Sequence, residues 1–209
     1  MRKVAVVVHA EARHHIDRLV GGWYDSSLTE HGREQAQQVG LALRRVFPML
    51  HVPIVSSDLK RARQTAEIIG EALQSAVVLD PRLRELSYGI AEGRPQSWLA
   101  ERIVPVPTCG SRIDHRVCEG AESRRDLATR VYAALDEVVA SDIKDIIIVT
   151  HGFAATFVIA YWIGLPIEKA DYVNFTVSPA SLSLLVEDDV FMNRSVQSLN
   201  DTRHLVDTT

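Results

Sequence analysis

Three side chains able to handle a phosphoryl group stand at comparable places in this chain. His9 follows directly on the apolar run Val4–Val8, and Thr150-His151-Gly152 follows on Ile146–Val149. Ser56-Ser57-Asp58 follows the Ile54 run, with Arg61 just beyond. An imidazole can act as nucleophile or proton carrier near neutral pH, and a guanidinium offers a rigid fork of donors to phosphate oxygens. If the apolar runs are strands of one parallel sheet, their carboxyl ends share the edge at which such sheets bind ligands. Two imidazoles and a guanidinium then converge beside helix N-termini, whose free N–H groups favour an anion. Taken singly, each has an ordinary structural reading, a hydrogen-bonded histidine or a solvated arginine. The spacing does not suggest a metal. There is no HExxH and no CxxC, and the adjacent His14 and His15 would point apart on a strand.

The elements that must position these groups follow from periodicity. Val4–Val8 and Ile146–Val149 read as strands covered on both faces, with Val52–Val55 a shorter candidate. Thr29 can cap a helix whose apolar stripe is Ala36, Val39, Leu43 and Phe47, ended by Pro48. Leu59, Ala62, Ala66, Ile69 and Leu73 form a second stripe, and Leu127, Val131, Leu135 and Val138 a third. Val173-Phe175-Val177 and Leu182-Leu184-Val186 alternate with polar residues, as half-buried edge strands do. Strands alternating with helices indicate an α/β sheet with crossover connections.

Composition bounds the rest. With 209 residues, 46% hydrophobic and 24% charged, the chain is read as one globular domain over 1–209. A net charge of −4 argues against a nucleic-acid footprint or a polybasic membrane anchor. Two cysteines favour a reducing compartment and are too few for a structural zinc site. The Val4–Val8 run is too short for a secretory signal, and residues 153–165 fall short of the ~20 needed to span a bilayer. A cytoplasmic protein is expected. Pro105 to Gly120, rich in proline, glycine and arginine, reads as a lid or a solvated insertion, within a possible lid segment at 94–120.

Several segments occur together and in order: His9-Ala10-Glu11, Leu28-Thr29-Glu30-His31-Gly32, Ser56-Ser57-Asp58-Leu59-Lys60-Arg61, Leu83-Arg84-Glu85-Leu86 with Glu92-Gly93, and Thr150-His151-Gly152. The chain thereby resembles the histidine phosphatase superfamily in its phosphoglycerate-mutase-like branch. The resemblance implies a three-layer α/β/α fold around a mostly parallel central sheet, with neither metal nor cofactor. It makes His9 the nucleophile that accepts the phosphoryl group, Arg61 and His151 its oxygen ligands, and Glu85 the acid and base for leaving group and water. Gly152 joins the phosphate-binding set.

The chain departs from that pattern in its first motif. Where the family has Arg-His-Gly-Glu, commonly continuing Thr-x-x-Asn, this sequence has Val8, Ala10, Ala12 and His15 around the retained His9 and Glu11. The resemblance makes the missing arginine a phosphate ligand worth ~1.5–3 kcal/mol, whose loss would slow monoester turnover roughly 10- to 100-fold, or more if it acts mainly in the transition state. Arg13 and Arg94 are candidates to fill the gap, with Arg112 and Arg116 on the lid. His15 is a candidate replacement for the asparagine, and Trp23 a candidate pocket residue. His14, His31, His51, His115 and His204 are read as ordinary structural or surface histidines. The leading expectation is a phosphatase of a small phosphorylated metabolite, with inorganic phosphate as product ligand. A mutase is disfavoured by chain length and by the lack of an adjacent arginine pair in the 100–120 region. The alternatives are a phosphate-binding regulatory protein with little turnover and a repurposed enzyme acting on a non-monoester. A homodimer paired through the C-terminal strands is a further expectation.

Overall fold

A computed structural model describes residues 1–49 and 51–205. Six strands form one sheet, β1 (Arg2–Val8), β2 (Ile54–Ser56), β3 (Val77–Leu79), β4 (Asp145–Thr150), β5 (Leu182–Glu187) and β6 (Arg194–Asp201), in the order β3-β2-β4-β1-β5-β6. The four strands from β3 to β1 run parallel, and β5 and β6 each pair antiparallel with the preceding neighbour. Val4 and Ile146 stand in register, as do Val8 and Thr150, so His9 and His151 emerge side by side.

Among the described residues the α-helices are α1 (Arg13–Ile16), α2 (Glu30–Val46), α3 (Lys60–Leu73), α4 (Gln96–Ala100), α5 (Arg124–Ala140) and α6 (Gly152–Trp162). Strand alternation decides which layer each side chain joins. Ala5, Val7, Ile147 and Val149 pack against Ala36, Val39, Leu43, Ala66 and Ile69 of α2 and α3. Val4, Val6, Val8, Ile146 and Ile148 pack against Leu127, Val131, Phe157 and Val158 of α5 and α6. The result is the expected three-layer α/β/α arrangement around a mostly parallel sheet. The apolar stretch from Phe153 forms α6 within this core, and no helix among the described residues is long and apolar enough to cross a membrane.

Two readings of the C-terminal part need correction. Among the described residues Val173–Val177 pairs with no strand, because the Phe175 amide donates to Thr156 Oγ1 and the segment runs along α6. Leu182–Val186 lies between β1 and β6 rather than at the edge, which passes to β6. The short strand β3 has only half-buried and exposed residues and leaves no apolar signal.

Candidate active site

The end of β1 is held by the helix that follows it. Thr29 caps α2 through the Gly32 amide, and its hydroxyl donates to Glu11 Oε1 at 2.6 Å. Gly32 is demanded by close approach, since a Cβ there would lie 2.0 Å from the Glu11 carbonyl oxygen. The Ala10 amide donates to Thr65 Oγ1 on α3, whose hydroxyl donates to the Arg61 carbonyl. Glu11 and the turn after it are thus clamped to α2 and α3.

His9 is presented in one orientation. Its Nδ1 lies 2.8 Å from the Ala10 carbonyl, which can only accept, so Nδ1 carries the proton. Its Nε2 lies 3.1 Å from Arg61 Nε, which can only donate, so Nε2 carries the lone pair. Burial, then the Arg61 charge, pushes the imidazole well below its ordinary value and keeps it neutral. Arg61 is itself 1% exposed, and its other nitrogens donate to the carbonyls of Tyr24 and Gly22. Burial lowers it to about 10, so it remains a cation at neutral pH. Three of its roughly five N–H groups have partners among the described residues, which leaves two to meet an anion.

His151 is fully buried, its ring edge-on to that of His9 at 5.0 Å between centroids. Ser57 Oγ already accepts from the Leu59 amide, so its proton is free to reach His151 Nε2 at 2.8 Å. With the Ser57 hydroxyl as donor, Nδ1 carries the ring's N–H, and this buried atom has no partner among the described residues. A buried polar atom left without a partner costs about 1–3 kcal/mol.

Glu85 reaches the same place from the loop after β3. Its Oε1 accepts from the Leu86 and Ala154 amides and its Oε2 from the Phe153 amide. The N-terminus of α6 is therefore occupied by this carboxylate, not left open for an external anion as its sequence position suggested. The Glu85 carbonyl is fixed by Trp23 Nε1 and by Arg130 Nη2, each at 2.7 Å. Arg130 also holds the carbonyls of Arg82 and Arg84 and pairs with Glu122. Arg84 forms a two-bond pair with Asp58, which holds that carboxyl below its usual range, and lies over the Trp23 ring.

His9, Arg61 and Glu85 border a cavity of about 410 Å³ together with Val8, His14 and His15, whereas His151 is not among its lining residues and lies behind His9. Gly152 lines the cavity, and Gln96 and Leu99 of α4 reach it from the 94–120 segment. The candidate compensating arginines do not reach it. Arg13 is exposed, and Arg94 is exposed and packs over Trp98. Arg112 lies over Tyr172, and Arg116 pairs with Asp126. Trp23 does not line the cavity but steadies Glu85 through its backbone. His15 does line it. So does His14, against its reading as an ordinary histidine, because both stand on the single turn α1 with ring centroids 4.1 Å apart and do not diverge as on a strand. Arg130 was missed as well. On sequence it is one helix arginine among many, and nothing local signals that its partners are distant carbonyls.

Comparison with known proteins identifies the family and the fold. The family profile of the histidine phosphatase superfamily (branch 1) matches residues 4–202. The chain is 37% identical over 169 residues to a protein of Erwinia tasmaniensis named "Probable phosphoglycerate mutase GpmB", covering 79% of this chain and 77% of that one. The protein of the same name from Proteus mirabilis is 37% identical over 196 residues, with 83% and 86% covered. Among solved structures, the mycobacterial glucosyl-3-phosphoglycerate phosphatase in complex with VO3 has a TM-score of 0.80 at 26% identity, covering 97% of this chain and 100% of that one. The alpha-ribazole phosphatase of Shigella flexneri shares the fold, with a TM-score of 0.77 at 23% identity and 95% and 96% covered. A sheet edge carrying His9, Arg61 and His151, and a profile match spanning nearly the whole sequence, lead to one assignment: the chain belongs to the histidine phosphatase superfamily, branch 1.

Proposed function

We propose that this protein is a phosphohydrolase that cleaves the phosphate monoester of a small metabolite through a phosphohistidine on His9. The observation that carries the reading is the His9 imidazole, neutral and locked by Ala10 so that its Nε2 lone pair stands beside Arg61. In the first step the Arg61 Nε–H leaves Nε2 for a phosphoryl oxygen, the freed Nε2 lone pair bonds to phosphorus as the ester P–O bond breaks, and Glu85 in its acid form gives a proton to the leaving oxygen. In the second, Glu85 takes a proton from water, the water oxygen bonds to phosphorus, and the P–N bond breaks to free His9 and inorganic phosphate. The two spare Arg61 donors and His151 Nδ1–H would hold the equatorial oxygens, where the transition state spreads its charge.

The experiment is hydrolysis of p-nitrophenyl phosphate and a panel of phosphorylated metabolites by wild type and His9→Ala. Turnover that disappears in His9→Ala supports the reading. No turnover on any substrate, together with tight binding of inorganic phosphate, would replace it with a phosphate-binding regulatory role. A mutase is the second reading, favoured by the name its relatives carry. Incubation with 3-phosphoglycerate separates the two: a phosphatase releases inorganic phosphate, and a mutase yields the 2-phospho isomer.

A further inference from the structure

Among the described residues the cavity wall contains one arginine, Arg61, and at position 8 it presents the methyl groups of a valine. A phosphoryl dianion brings about two negative charges, so one guanidinium leaves the site short of positive charge. Two imidazoles stand close by. The His14 ring lies 6.0 Å and the His15 ring 5.5 Å from that of His9.

The two rings are not equivalent. His15 Nδ1 accepts from the Ala12 amide, a donor that cannot reverse, so His15 stays neutral with its proton on Nε2. His14 Nδ1 faces the Ser26 hydroxyl at 2.6 Å, which can donate or accept. His14 can therefore hold a proton on both nitrogens without losing that bond. Its Nε2 has no hydrogen-bond partner among the described residues and lies over the Cα of Gly21, another wall residue.

We propose that His14 is a phosphoryl-binding residue of this site, whose Nε2 takes a proton from solvent as the dianion enters and donates it to a phosphoryl oxygen. The imidazolium supplies the charge that Val8 does not, and His15 adds a neutral N–H beside it. The inference rests on the phosphohydrolase reading above. The groups facing His14 are His15, Arg61 from α3, His9 and His151 from the ends of β1 and β4, and Glu85 and Tyr88 across the cavity. Burial, then His15 and Arg61, hold His14 down to about 3, so it is neutral at physiological pH until an anion offsets those charges.

Calorimetric titration with inorganic sulfate, a dianion throughout, in buffers of differing ionisation enthalpy between about pH 6 and 8 counts the protons taken up. The expected result is an uptake that approaches one proton per sulfate near pH 6 and declines towards pH 8, with affinity falling by up to about tenfold per pH unit at the acid end. His14→Gln should abolish the uptake and the pH slope, whereas His15→Gln should weaken binding at every pH with the proton count unchanged. Should His14→Gln misfold, Gly21→Ala serves instead, because its Cβ would lie 2.9 Å from His14 Nε2 and displace the ring. Sulfate binding without proton uptake, uptake that persists in His14→Gln, or no sulfate binding at any pH would overturn the inference. Full hydrolysis by His9→Ala would instead overturn the phosphohydrolase reading.

Discussion

Replacing Glu85 by glutamine separates its chemical role from its structural one. The carboxylate accepts two amides on Oε1 and one on Oε2, so a glutamine keeps the first pair by placing its carbonyl there. Its NH2 then opposes the Phe153 amide, which loses its acceptor at a cost of about 1–3 kcal/mol in stability. Chemically, the variant lacks the proton that a poor leaving group needs, a contribution of roughly 10²- to 10⁴-fold. An alkyl phosphate should therefore lose kcat/KM by about that factor. p-Nitrophenyl phosphate, whose leaving group departs as an anion, should lose no more than about tenfold. Because Glu85 also activates the water of the second step, stopped-flow traces with p-nitrophenyl phosphate should show a burst of nitrophenolate and then slow turnover. Equal losses on the two substrates, with no burst, would refute the acid–base assignment and leave Glu85 as a brace for the start of α6.

Val8→Arg would add a permanent cation to the wall, and kcat/KM should rise about 10- to 100-fold at pH near 8 but much less near pH 6, where His14 already carries charge in the complex. An equal gain at both pH values would contradict the role given to His14. Trp23→Phe removes the 2.7 Å bond to the Glu85 carbonyl and should lower kcat several-fold with KM nearly unchanged, at about 0.5–1.5 kcal/mol in chemical denaturation. An unchanged kcat would mean that Arg130 alone steadies the loop. His9 and His151 are buried and held well below their ordinary value of 6.5. Below that pH the unfolded chain binds protons that the native chain does not, so stability declines on acidification. The two imidazoles together should remove about 3 kcal/mol between pH 7.5 and 5.5. Denaturation midpoints that are flat over this window would show that both histidines titrate normally in the native state.

The site was legible where its chemistry depends on short stretches of chain. His9, Arg61 and His151 stand directly after apolar strands or in the first turn of a helix, so strand order alone brings them to one edge. Thr29 is read as a cap by the same logic, whereas the close approach to the Glu11 carbonyl that demands Gly32 is visible only in the folded chain. What escaped depends on distant partners or on local backbone geometry. The alternation at Val173–Val177 imitates a strand, but Thr156 of α6 takes its amide. The His14-His15 pair diverges on a strand and converges on one helical turn, and four residues are too few for helical periodicity to register. Arg130 and Trp23 act through backbone carbonyls, acceptors that every residue carries and no pattern of side chains reveals.

The most direct measurement is acid-free quenching of the enzyme during turnover of a monoester, followed by peptide mass spectrometry and ³¹P NMR of the phosphorylated species. The account predicts a phosphoramidate on Nε2 of His9, labile in acid, more abundant in Glu85→Gln and absent in His9→Ala. Turnover without any such adduct, or with the phosphoryl group on another residue, would contradict it.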